Sequence, residues 1–323
     1  MNLHAPTSSP TNPIHVAVGV IVDAEQRVLV SRRHAHSHQG KLWEFPGGKL
    51  EAGESIQAGL EREFREELGL QLHRYFPVKK ILYQYPEKTV LLDVWQIAEY
   101  SGTAVGLEGQ AVQWRSIAAL DQADFPPADV PIIRLLNLPR EIAITPPLGN
   151  ESQLPGLIAA YVAQRVQVIQ FRQHQLDPAS YRQWFELAND ICTGHGVKLI
   201  FNYDPKIYAT LAKQAAFHAS SVRLMELNAR PVAEDLLFSA SCHNQHELLH
   251  AERLNADFAL LSPVKPTDKY PPGHCLDWAG FEELAGQVSL PVYALGGMRR
   301  SDIDTACQHG ARGIAGIRCF LPG

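Results

Sequence analysis

The chain has 323 residues, 46% of them apolar, with 29 Lys and Arg against 34 Asp and Glu for a formal net charge of −5. That length exceeds one small module and suits two domains, each with its own core. The acidic balance, with a pI near 6.3, argues against duplex nucleic acid as a partner, and no apolar run approaches the length that spans a bilayer. The five cysteines, at 192, 242, 275, 307 and 319, are scattered, odd in number and absent from the first half. They speak against a disulfide framework or a Cys-based zinc site, and for a reducing, cytoplasmic setting. Oligomeric state is left open by these features.

Residues 1–13 are polar, rich in Ser, Thr and Pro, and lack the charged-then-apolar order of a signal peptide, so a disordered tail is expected. His15–Val22 reads as an apolar strand and Val28–Arg33 as its partner across a short turn. Next comes Leu42-Trp-Glu-Phe-Pro-Gly-Gly48, and then a helix. Ser55 is its expected N-cap and Gly69 its expected left-handed stop. At roughly 100° per residue, Ile56, Leu60, Phe64 and Leu68 form one apolar stripe, with Glu63, Glu66 and Glu67 beside it. Val130–Leu138 reads as a helix closing the first domain, ended by Pro139. The boundaries expected are therefore 14–138 and 139–323.

Beyond Pro139, short β-rich runs alternate with amphipathic helices. The runs are Glu141–Pro146, Val166–Arg172, Lys198–Tyr203, Ala215–Ala219, Leu236–Cys242, Asp257–Val264, Pro291–Gly297 and Gly313–Arg318. Eight strands alternating with helices imply a compact (β/α)8 TIM barrel, here without room for the last helix. Function in such barrels sits at the C-terminal strand ends.

Residues 48–70 carry the sharpest chemical signal. They read Gly48, five residues, Glu54, seven residues, then Arg62-Glu63-Phe64-Arg65-Glu66-Glu67-Leu68-Gly69-Leu70. Carboxylates at this spacing repel one another, and burying one costs several kcal/mol (on the order of 3–5) unless a cation offsets it. Hard divalent ions take such oxygen ligands, Mg²⁺ commonly through a few carboxylates plus substrate phosphates. A solvated acidic helix face with Glu–Arg pairs is the ordinary alternative for a Glu-rich helix.

The stretch fills every fixed position of the Nudix box. Together with Leu42–Gly48, Leu107-Glu108-Gly-Gln110 and Asp124-Phe-Pro-Pro-Ala-Asp129, it resembles the MutT-type Nudix hydrolases, the 8-oxo-dGTP diphosphatases. That resemblance implies an α/β/α sandwich with a mixed sheet and a small-molecule nucleotide substrate cut to monophosphate and diphosphate. It implies Mg²⁺, with Mn²⁺ as a substitute, on the Gly47 carbonyl, Glu63, Glu66, Glu67 and Glu108. Glu108 or Glu66 would serve as base, while Glu54 and Arg62 brace the helix. Arg33, His38 and Lys49 would face substrate, and Phe45 and Asp129 would line the base pocket. One position departs: the family usually has Asn where this chain has Asp129. An ionised carboxylate only accepts hydrogen bonds, so Asp129 must meet a donor edge or be protonated. A turn or helix-cap aspartate before Val130-Pro131 is its ordinary alternative.

The barrel strand ends resemble the thiamine phosphate synthase and TenI family. Gln170-Phe-Arg172, Asn202, His218 with Ser221, Ser241-Cys-His243, the loop through Lys269 and Gly296-Gly297 carry this likeness. It implies a thiazole- or thiamine-phosphate ligand, with the glycines at its phosphate. The synthase pattern is broken where chemistry depends on it. The expected Lys is His174, the Asn-Asp-Arg motif reads Asn202-Tyr203-Asp204, the second metal Asp aligns with Arg223, and a phosphate-gripping Ser is Arg318. Both expected metal acids are lost, which argues against full synthase activity. TenI-type proton transfer on a thiazole phosphate needs no metal, with His243 the first candidate and His218 the second. Alternatively both are ordinary histidines in a non-catalytic barrel that still attracts an anion through Arg172, Lys269 and Arg318. Three functional readings follow: a nucleotide-sanitising diphosphohydrolase, a thiamine-pathway enzyme whose Nudix half cuts a related diphosphate, and a phosphate-ligand sensor.

Overall fold

The computed structural model describes residues 13–34, 39–211, 214–268, 270–271 and 273–321. Residues 1–12, which make up nearly all of the expected tail, together with His38 and Lys269, lie outside the described residues. The chain divides into two units, Met1–Leu138 and Pro139–Gly323.

The first unit runs β1 (Ile14–Ile21), β2 (Arg27–Arg32), β3 (Trp43–Glu44), β4 (Gly47–Lys49), α1 (Ile56–Leu68), β5 (Gln71–Gln84), β6 (Thr89–Ser101), β7 (Val112–Ser116) and α2 (Val130–Leu136). Two sheets form, in the orders β4-β1-β6-β5 and β3-β2-β7. Side chains alternate across β1, so Ala17 and Ile21 join Leu60, Phe64 and Leu68 of α1, while Val18 and Val20 join Phe125, Ile132 and Ile133. The result is a sheet layer between two helical layers.

The expected pairing of the first two strands is corrected. They share only an isolated bridge, Val22 to Val28. A strand has two edges, and both edges of β1 are taken, by β6 in parallel over Ile14–Ile21 and by β4 in antiparallel. So β2 pairs with β3 and β7 instead.

The second unit runs β8 (Glu141–Ile144), α3 (Leu154–Ala163), β9 (Val168–Phe171), α4 (Pro178–Gly194), β10 (Lys198–Phe201), α5 (Pro205–Tyr208), β11 (Ala216–Ala219), α6 (Ser221–Glu226), β12 (Phe238–Cys242), α7 (Gln245–Arg253), β13 (Phe258–Leu261), α8 (Asp277–Ala285), β14 (Val292–Ala294), α9 (Ile303–Gln308) and β15 (Gly313–Gly316). The eight strands close in a ring, β15 returning in parallel to β8 through Ile314–Glu141 and Gly316–Ala143. Strands buried on both faces, such as Val168–Phe171, read as continuous apolar runs rather than alternating ones. Most ladders stop short of the runs expected from sequence, so Arg172, Asn202 and Gly296 stand just past the strand ends. Among the described residues no helix is long and apolar enough to cross a membrane.

Candidate active site

Helix α1 positions the acidic cluster. The Ser55 side chain accepts from the Ala58 N–H at 3.2 Å, and Gly69 ends the helix in the left-handed region at φ 69°. Leu60, Phe64 and Leu68 are fully buried, which fixes the helix's rotation and with it the direction of Glu63 and Glu67. The loop after β6 is tied to the helix's last turn. The Leu107 N–H donates to the Glu67 carbonyl at 2.9 Å, and Gln110 Nε2 to the same carbonyl at 3.1 Å. These bonds bring Glu108 to the acidic end of α1.

Glu63 lies against β4. A Cβ added at Gly48 would stand 2.1 Å from Glu63 Oε1, so only glycine lets the carboxylate approach this closely. The Glu67 carboxyl accepts from the Gly47 backbone N–H, and burial, then Glu63, Glu44 and Glu108, push its pKa up to about 8. Burial likewise raises Glu63.

Arg62 is the counter-charge. Its Nε and Nη2 reach Glu54 at 2.9 and 3.0 Å, its Nη1 reaches Glu63 at 2.8 Å and Glu66 at 3.3 Å, and its Nη2 also holds the Lys49 carbonyl at 3.1 Å. The Arg62 bonds hold Glu54 down at about 2. Glu54 also accepts from the Glu51 N–H, which locks the loop leading into α1. As the side chains stand, no three His, Cys, Asp or Glu among the described residues gather around one point. Arg62 draws Glu54, Glu63 and Glu66 toward itself, while Glu66 and Glu108 are more than half exposed. The donor chemistry nonetheless fits a hard cation: all-oxygen ligands, one of them partly buried among other acids.

The base-pocket candidates are brought together on the other side of β3. Phe45 is buried and stacks on Phe125 with ring centroids 5.5 Å apart. Asp129 is buried too, and burial, then Glu44, push its pKa up to about 8, against the pull of Arg33 and of a hydrogen bond from the Phe45 N–H. Burial thus favours the protonated carboxyl, which can donate and accept as an amide does. Arg33 is ion-paired with Glu44. Lys49 is exposed.

Sequence reasoning missed Glu44 and His34. Glu44 lies between Arg33, Glu67 and Asp129 in electrostatic terms, and burial lifts its pKa to about 7. Its position inside the Trp-Glu-Phe-Pro-Gly-Gly run was the available signal. His34 Nε2 stands 3.9 Å from Glu108.

At the barrel strand ends, Gln170 Nε2 donates to Asn202 Oδ1 at 3.0 Å, His174 Nε2 meets the same oxygen at 3.1 Å, and Asn202 Nδ2 donates to the His218 carbonyl at 3.1 Å. His218 is fully buried, its Nδ1 against Ser239 Oγ at 2.9 Å and its Nε2 against Ser241 Oγ at 2.8 Å. Burial, then His174 and Arg172, hold its pKa down at about 3, so the ring is neutral. His243 is 38% exposed and its Nδ1 faces Glu247 Oε2 at 3.0 Å, apart from this network. Arg318 is 76% exposed and paired with Asp268, so its charge is spent at the surface. Added Cβ atoms at Gly296 and Gly297 would fall 2.9 Å from the Pro263 Cα and 2.8 Å from the Lys265 Cβ, so the two glycines are also required by close loop packing.

The family profile for the NUDIX domain matches residues 17–135, and that for thiamine monophosphate synthase, the TMP-TENI family, matches residues 142–320. The chain is 35% identical over 123 residues to the 8-oxo-dGTP diphosphatase of Escherichia coli, covering 38% of this chain and 95% of that one. It is 34% identical over 116 residues to the CTP pyrophosphohydrolase of the same organism, covering 36% of this chain and 86% of that one. A putative thiamine-phosphate synthase 2 of Aquifex aeolicus is 28% identical over 192 residues, covering 58% of this chain and 100% of its own. The chain thus belongs to two families in tandem, a Nudix hydrolase of the MutT type followed by a barrel of the thiamine monophosphate synthase and TenI family.

Proposed function

We propose that the first unit hydrolyses a nucleoside triphosphate, an 8-oxopurine one by preference, to the monophosphate and diphosphate. The observation that carries this reading is the partly buried Glu67 carboxyl, whose pKa is raised by burial and then by Glu63, Glu44 and Glu108, a crowding of acids that a bound cation would relieve. Glu63, Glu66, Glu67, Glu108 and the Gly47 carbonyl would hold Mg²⁺, with Mn²⁺ as substitute. When bound, such ions neutralise charge that builds on the phosphates and favour deprotonation of an attacking water. Glu108 or Glu66, both exposed, would accept that proton. Arg62 and Glu54 keep the loop and helix in register for it. Protonated Asp129 would offer a donor and an acceptor to a purine edge beside Phe45.

Turnover of 8-oxo-dGTP, dGTP, CTP and thiamine diphosphate by the intact protein in Mg²⁺, beside Glu67→Gln, tests the reading. Preference for 8-oxo-dGTP, with turnover reduced at least about a hundredfold in the variant, is expected. Equal turnover in excess chelator, or selectivity for the thiamine compound, would refute it.

A second reading concerns the barrel. Arg172, His174 and the Gln170–Asn202 bond cluster where ligands enter this architecture, which supports the binding of a phosphorylated small molecule such as a thiazole or thiamine phosphate.

A further inference from the structure

The thiamine monophosphate synthase likeness brings with it a metal between acids that follow the third and fourth barrel strands, β10 and β11. The residues here do not fit one. Asp204, just past β10, has both oxygens engaged: Oδ1 accepts from the Lys206 N–H at 2.8 Å and Oδ2 from Arg223 Nη2 at 3.0 Å. Arg223 itself stands where the second acid would be. Carboxylates past later strands are also paired, Glu247 with His243 and Asp268 with Arg318.

Arg172 is half-buried, and its guanidinium has no hydrogen bond or ion pair among the described residues. Its backbone is fixed: the Arg172 N–H donates to Thr145 Oγ1 at 2.8 Å, and the fully buried Gln173 beside it donates to Thr145 Oγ1 at 2.9 Å and the Pro146 carbonyl at 2.7 Å. The guanidinium lies close enough to His174 and His218 to lower the pKa of each, and without a partner its planar fork is open to phosphate oxygens. His174 adds to it. Asn202 Oδ1 can only accept, so the His174 proton resides on Nε2 and Nδ1 is left with a lone pair for a ligand hydroxyl.

We propose that the barrel takes a phosphate-bearing ligand through Arg172, with His174 at its side, and without any divalent cation. This rests on the reading of the barrel as a phosphate-ligand site. In chemical terms the site suits a phosphomonoester and lacks the carboxylates that would hold a divalent cation to neutralise charge on a departing diphosphate.

The test follows the His174 ring signals by NMR in the full-length protein, identified by their loss in His174→Gln. Inorganic phosphate is titrated at matched ionic strength, once in EDTA and once in excess Mg²⁺. The ring signals report on the barrel regardless of what the Nudix site binds. Saturable shifts with Kd values within about twofold in the two buffers are expected, weakened about tenfold or more in Arg172→Ala. Binding that is about tenfold tighter in Mg²⁺, or unaltered in Arg172→Ala, overturns the metal-free site while leaving the ligand reading in place. Signals unmoved in both buffers would overturn that underlying reading as well.

Discussion

At Asp129, exclusion of water changes what one side chain can do. Its folded pKa is about 8 against 3.8 in an exposed aspartate. Between those values the folded chain keeps a proton that the unfolded chain releases, so stability falls as pH rises from about 4 to about 8 and then levels off. Asp129→Asn removes that slope. Thermal unfolding across this range should show a falling wild-type profile and a flatter variant one, with the variant more stable at the alkaline end. Activity on 8-oxo-dGTP should survive the change, since the amide offers the same donor and acceptor. Glu67→Gln makes the complementary point. In chelator the variant should be more stable than wild type near pH 8, by about 1–3 kcal/mol, because a partly buried carboxylate among other acids is gone. A lower melting temperature for that variant would mean Glu67 is not electrostatically strained. The sequence makes both residues visible, but their protonation depends first on burial and then on neighbouring carboxylates, Glu44 among them, which only the fold supplies. His243 shows the converse. Its motif is plain in the sequence, yet its partner proves to be Glu247, one helical turn on.

The element that sequence renders most fully is α1. Cap, apolar stripe and left-handed stop lie within a single stretch of chain, so no distant contact is required to foresee them. Two variants separate the helix from the chemistry it carries. Ser55→Ala should cost about 1 kcal/mol in chemical denaturation, through loss of the cap, with activity on folded protein little changed. Gly48→Ala should leave far-UV circular dichroism intact and reduce turnover at least about tenfold, because the new methyl occupies the space of Glu63 Oε1. Unreduced turnover in that variant would show that Glu63 need not rest against β4. Strand pairing was less legible. Val28–Arg33 is a strand in either arrangement, and what steers it away from β1 is β6, some 60 residues further along the chain.

For the whole molecule, periodicity alone gives the second unit away, since eight apolar runs separated by helices admit few closed arrangements. Among the described residues the clusters of buried apolar side chains respect the division, drawing either on residues 17–136 or on residues 143–320. A chain ending at Leu138 should therefore fold and hydrolyse nucleotide by itself, checked by activity and circular dichroism of that fragment. A fragment that is unfolded, or folded and inactive, would mean the first unit depends on the second.

The join between the units has a practical meaning. The Arg140 carbonyl accepts from the Ile314 N–H at 2.9 Å, Tyr293 donates to the Pro139 carbonyl, and Glu141 grips Arg300 at 2.6 Å. The cylinder's first stave is nailed down from its opening residue. Anyone exchanging the first half for another module should cut directly before Pro139, because a cut a few residues later would leave the cylinder gaping.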